Sequence, residues 1–148
     1  MSRIRRILHP TDFSRASGAA FKKALDLAKA SKAELLVVHV LAPTVPMVGD
    51  AYVSPEVYED LAASARAHGK KNVDALVAKA KKAGVRAKSV LLEGVPHEQI
   101  ARTARRQRAD LVVMGTHGRT GLAKLFLGSV AGRVIAIAPS PVMTVRGK

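Results

Sequence analysis

Gly115-Thr116-His117-Gly118, then nine residues, then Gly128-Ser129, is the stretch of this chain best suited to chemistry. The apolar run Leu111–Met114 before it reads as a buried strand, and Val130–Ala138 after it as a short helix. Glycines at a strand end let backbone N–H groups approach a ligand with no Cβ in the way. Gly128-Ser129 at a helix start adds free N–H groups and the positive end of the helix dipole. This chemistry is that of a phosphate cradle, and so of nucleotide binding. Ser129 can cap the helix, face phosphate, or do both. Arg119 and Lys124 either offset phosphate charge or lie on a solvated loop. His117 is expected to face solvent, with phosphate contact or acid–base work as the sharper alternative.

Asp12 follows a first strand-like run. A carboxylate there can accept hydrogen bonds from ribose hydroxyls or from an adenine amine. It can equally form an Asx turn into the helix that Ser14 opens, and both readings stand. His9 and His39 lie at strand ends, where a satisfied core or rim histidine is the ordinary case. No spacing of His, Asp and Glu resembles a metal-binding motif, so a metal would arrive with nucleotide phosphates. The chain has no G-x-x-x-x-G-K-[ST] loop, no G-x-G-x-x-G fingerprint and no G-x-S-x-G elbow. Glu93 is a single carboxylate without a partner for general acid–base work, so no catalytic residue is assigned.

These residues need elements to hold them. Strands are expected at Ile4–Leu8, Leu35–Val40, Val85–Leu92, Leu111–Met114 and Val142–Val145. His9-Pro10 should end the first. Helices are expected from Ser14 to about Ala30, from Pro55 to a stop at Gly84, from Pro96 to about Arg108, and over Val130–Ala138. In the second helix Val57, Leu61, Ala65, Val73, Leu76 and Ala80 should form one buried face, with an irregularity near Gly69. Lys and Arg alternating along Val85–Leu92 suit an edge strand. Strands alternating with helices predict an open parallel sheet covered on both faces, in one domain over residues 1–148. Ligands of such sheets sit beyond the carboxyl ends of the strands, where strand order reverses. Pro10-Thr11-Asp12, the Val40-Leu41 region and Gly115 onward occupy such ends.

Composition narrows the partners. Twenty-five Lys and Arg against eleven Asp and Glu give a net charge of +14. Such a field attracts polyanions, nonspecific nucleic acid among them. The basic runs on the second and third helices are either solvated faces or phosphate-backbone contacts. With two Tyr, three Phe and no Trp, a stacking platform for single strands is not expected. No cysteine is present, and no apolar run approaches the ~20 residues of a membrane span. The expected location is the cytoplasm, away from membranes.

Three segments also carry a family resemblance. Val113–Leu122 with Leu127–Ala131 closely resembles the signature of the universal stress protein family. Ile7–Ser14 resembles the family's opening and Ala138–Arg146 its ending, so the likeness spans essentially the whole chain. The resemblance implies a five-stranded parallel sheet of Rossmann-like, adenine-nucleotide α-hydrolase-like type, usually a homodimer paired through Val142–Val145. It implies the subgroup that keeps G-x2-G-x9-G-[ST] and binds ATP, with Mg2+ or Mn2+ on the phosphates. By position, Asp12 and Val40 would hold adenine and ribose, Val40 through its backbone. Pro10 and Thr11 would line that pocket, with Met114 beside it. Gly115, Gly118, Gly128, Ser129 and Val130 would surround the phosphates, with Arg119 close by. The implied function is nucleotide-dependent binding or conformational regulation under stress. Slow ATP hydrolysis and association with nucleic acid are the alternatives. Gly132 in the last helix and the strong basic excess depart from the family pattern.

Overall fold

The computed structural model describes residues 3–42, 54–117 and 128–147. Its elements run β1 (Arg6–Pro10), α1 (Arg15–Ser31), β2 (Glu34–Leu41), α2 (Pro55–Lys82), β3 (Ala87–Glu93), α3 (Pro96–Arg106), β4 (Leu111–Gly115), α4 (Ser129–Ile137) and β5 (Val142–Val145). The strands form one sheet in the order β3-β2-β1-β4-β5, and every neighbouring pair is parallel. β3 lies at an edge, as its alternating basic residues suggested.

The inner strands are continuous apolar runs because both of their faces are buried. Ile7, Leu35, Val37 and Val113 point to one side and meet Ala20, Phe21 and Ala24 of α1 and Val73, Val77 and Ala80 of α2. Leu8, Leu36, Val38 and Val112 point to the other and meet Ile100 and Ala104 of α3 and Ala131 and Val134 of α4. Local chemistry sets the helix ends. The Ser14 hydroxyl accepts the Ser17 N–H at 3.2 Å and caps α1. Gly84 takes φ 86° just past α2, a conformation that costs glycine little. Among the described residues, no helix is long and apolar enough to cross a membrane.

Three details differ from the sequence expectations. β1 runs on through His9 and Pro10, which pair with Val37 and Val38 of β2. Thr11 N–H donates to Val38 O at 2.8 Å, so the alternation of the backbone aims the Pro10 nitrogen at β4. The β1–β4 ladder has already ended at Leu8, and the missing N–H of Pro10 breaks no bond. α2 continues unbroken through Gly69, where a Cβ would stand 3.1 Å from His39 and 3.2 Å from Leu91. The glycine therefore lets helix and sheet approach closely. The third difference is the first half of α2. Val57 and Leu61 are 50% and 57% exposed, and the buried residues of α2 begin only at Gly69. A 28-residue helix is about 42 Å long and a seven-residue strand about 23 Å, so α2 overhangs the carboxyl edge of the sheet.

Candidate functional site

β1 lies between β2 and β4, and the chain leaves it in opposite directions across the sheet. The order reverses between β1 and β4, where a parallel sheet opens a crevice at its carboxyl edge. Pro10, Thr11 and Asp12 leave β1 there, Val40 closes β2 on one side, and Met114 and Gly115 close β4 on the other. Gly128 N–H donates to Thr116 O at 2.6 Å and returns the start of α4 to the end of β4. The fold thus brings Pro10, Thr11, Asp12, Val40, Met114, Gly115, Gly128, Ser129 and Val130 to one edge. Gly118, Arg119 and Lys124 lie outside the described residues.

The β1–α1 turn is tightly organised. Asp12 Oδ1 accepts the Ser14 N–H at 3.0 Å, forming the Asx turn that is one of its two readings. Thr11 Oγ1 accepts the Phe13 N–H at 3.0 Å and also bonds Ser17 Oγ. Together they hold Phe13 at φ 64°, a left-handed conformation unusual for a bulky residue. Its ring lies 4.5 Å from that of His39, whose Nδ1 donates to Thr11 O at 2.7 Å. Backbone strain of this kind collects at functional turns, where surrounding structure over-determines it.

The β4–α4 side has different chemistry. Gly128, not Ser129, is the N-cap of α4, and among the described residues no side-chain cap closes its opening turn. The first bond into the helix is Gly132 N–H to Gly128 O at 2.9 Å, so the amides of Ser129, Val130 and Ala131 have no intrahelical acceptor. Gly115 is also required sterically, because a Cβ there would stand 2.9 Å from the carbonyl carbon of Ala16. Sequence reasoning saw this glycine as ligand access and missed the α1 backbone behind it. His117 is half-buried instead of facing solvent. Its Nδ1 meets Thr116 Oγ1 at 2.9 Å, and its buried Nε2 has no partner among the described residues. The Met114 side chain belongs to the core on the α3–α4 side, with Val40 and Val130 packed against the same cluster.

A cleft of about 790 Å3 opens beside Asp12, His39 and Val40 under the overhang of α2. Its far wall comes from Tyr58, Ala62 and Arg66 of α2, with Glu93 and Gly94 closing it past β3. Arg66 and Glu93 form an ion pair at this cleft, though both side chains are more than half exposed. These α2 residues were missed. Their helical spacing signals only a helix face, and the overhang that turns it toward the site depends on strand lengths. Among the described residues, no group of three or more His, Asp and Glu is placed to hold a metal ion.

His9 lies three residues before Asp12 and is fully buried. Its Nδ1 donates to Val113 O at 2.9 Å, leaving Nε2 a buried acceptor without a partner among the described residues. Burial pushes its pKa down from 6.5 to about 4, against the opposing pull of the Val113 carbonyl and the Asp12 charge.

Comparison with known proteins places this geometry. Residues 3–146 match the Universal stress protein family, and the chain belongs to that family. Universal stress protein MJ0531 of Methanocaldococcus jannaschii is 38% identical over 143 residues, covering 96% of this chain and 82% of that protein. The solved structure of MJ0577 superposes with a TM-score of 0.88 at 28% identity, covering 99% of each chain. A family protein of Arabidopsis thaliana, solved with AMP bound, shares the fold at 24% identity and a TM-score of 0.70, covering 97% of this chain and 92% of that one.

Proposed function

We propose that this chain binds an adenine nucleotide, ATP carrying Mg2+ or Mn2+, across the β1–β4 reversal, and acts in the cytoplasm through that binding. The observation that carries the reading is the start of α4, without a side-chain cap among the described residues and tied to the end of β4 beside the strand that delivers Asp12. Helix-opening amides without an intrahelical acceptor suit a phosphate, and the neighbouring cleft has the size of a small-molecule pocket. The AMP-bound protein of the same fold supports the choice of adenine. In this reading Asp12 and the Val40 backbone take base and sugar, and Pro10 and Thr11 line their pocket. Met114 adjoins it through its backbone. Gly115, Gly118, Gly128, Ser129 and Val130 surround the phosphates, and Arg119 offsets their charge. Occupancy then biases conformation or partner choice, because a ligand shifts an equilibrium by its differential affinity for the two states.

Two copies pair through β5 in this reading. Among the described residues β5 pairs only with β4, and its four residues are half-buried. Pro141 O and Val145 O face β4, accepting from Val112 and Thr116 N–H, so alternation turns Val142 and Thr144 N–H outward to an open edge.

Thermal unfolding with and without Mg-ATP tests the nucleotide reading. At a hundredfold excess over the dissociation constant the ligand adds about 2.7 kcal/mol. At roughly 2–4 °C per kcal/mol, Tm should rise by about 5–11 °C. Gly128→Val, which sets a branched Cβ at the opening of α4, should abolish the rise. An unchanged wild-type Tm with millimolar ATP, ADP and AMP would contradict the reading.

A further inference from the structure

The charge that nucleotide binding leaves unused gathers at the opposite edge of the sheet. The helices run back against the parallel strands, so their C-termini collect at the strands' amino ends. Their last turns are basic: Lys29 in α1, Lys79, Lys81 and Lys82 in α2, Arg105 and Arg106 in α3. The acids favour the other edge, with Glu56 in the first turn of α2 and Glu98 in the first turn of α3.

A recess of about 680 Å3 opens at the amino edge, lined by Arg3, Arg5, Arg6, Lys32, Arg86 and Arg108. The two acids that also line it, Glu34 and Asp110, are already engaged. Asp110 Oδ2 accepts the backbone N–H groups of Arg5 and Arg6 at 2.8 and 3.0 Å. Glu34 pairs with Arg6 at 3.2 Å and Lys88 at 3.7 Å. Helix dipoles account for some of the basic residues. Arg3 donates to Ser31 O, Arg6 to Gln107 O and Arg86 to Lys32 O, all carbonyls at helix C-termini. Each bond uses part of a five-donor guanidinium and fixes it at the rim with donors to spare.

The arrangement is a row. Arg86 precedes β3, Lys32 precedes β2, Arg5 precedes β1 and Arg108 precedes β4, following the spatial order of the strands. At about 4.8 Å per strand the row spans roughly 14 Å, and the basic helix ends widen it on both sides of the sheet. That is broader than one phosphate group and matches a chain of them. With two Tyr, three Phe and no Trp in the whole chain, stacking on unpaired bases has little to use. We propose that the amino edge of the sheet docks the phosphate backbone of duplex nucleic acid without reading its sequence, with Arg5, Arg86 and Arg108 at the centre.

The test is fluorescence anisotropy with a 20-base-pair DNA duplex of arbitrary sequence, titrated from roughly 50 to 200 mM salt, with an RNA duplex in a parallel arm. Binding to both duplexes with a steep negative salt slope is expected. Arg5→Gln, Arg86→Gln and Arg108→Gln combined should reduce that slope by about 3, near 1 per phosphate contact. Lys22→Gln, Lys23→Gln and Arg133→Gln remove equal charge from exposed positions on α1 and α4 and should leave the slope unchanged. If the first triple variant does not fold, Arg5→Gln and Arg108→Gln singly should each lower the slope by about 1. Saturating Mg-ATP should not displace the duplex, because its proposed site lies at the other edge. The proposal is overturned by a wild type that binds neither duplex at 50 mM salt, by equal slope losses in both triples, or by displacement with Mg-ATP. Capture by phosphatidylserine vesicles without duplex binding overturns it as well. The duplex-binding, salt-slope and vesicle results are independent of whether nucleotide binds at all.

Discussion

His9 couples the turn that carries Asp12 to the stability of the fold. Its imidazole is wholly buried with a pKa near 4, whereas an unfolded chain titrates it near 6.5. Above pH 6.5 it is neutral in both states and costs nothing. As pH falls from 6.5 toward 4, the unfolded state takes up a proton that the folded state refuses. Stability should then fall by up to about 1.4 kcal/mol per pH unit. Urea unfolding at pH 7.5, 6.5 and 5.5 should show this loss over the lower step, and His9→Gln should flatten it. Equal pH dependence in the two proteins would contradict the assignment. Some of this scale was legible in the sequence. Asp12 and Gly128 stood out because strand ends and helix starts can be read locally. The left-handed Phe13 and the contact that Gly115 makes with Ala16 could not be, since each depends on packing between distant segments.

Elements carry the next level of the account. The apolar runs announced the five strands, and turn residues such as Ser14 and Gly84 set the helix ends close to where they were expected. Helical periodicity alone misassigned the first half of α2, because a helix longer than its strand presents the same apolar spacing to a cleft as to a core. Val57 and Leu61 are exposed for that reason, and the same overhang supplies Tyr58 and Arg66 to the site. The open edge of β5 gives the element-scale prediction. Thr144→Pro removes an outward N–H while leaving the donors that face β4 intact. Analytical ultracentrifugation should find the wild type dimeric and this variant monomeric, with far-ultraviolet circular dichroism unchanged. A wild type that sediments as a monomer, or a variant that remains dimeric, would contradict pairing through β5.

Over the whole molecule, topology gives the charge an address that composition lacks. A net charge of +14 says only that polyanions are attracted. The parallel sheet sorts the chain into two edges. The carboxyl edge holds the strand-end turns, the cleft and the start of α4. The amino edge holds the arginine recess. The two proposed sites, for nucleotide and for duplex, therefore lie at opposite edges and do not overlap. Family membership was legible from three short segments, whereas the separation of the edges needed the strand order. The nucleotide claim is tested most directly by mapping backbone amide shifts in two-dimensional nuclear magnetic resonance as Mg-ATP is added. The predicted shifts fall on Asp12, Val40, Gly115, Ser129 and Val130, while the amides of Arg5, Lys32 and Arg108 stay still. Shifts confined to the amino edge, or none at saturating nucleotide, would contradict the account.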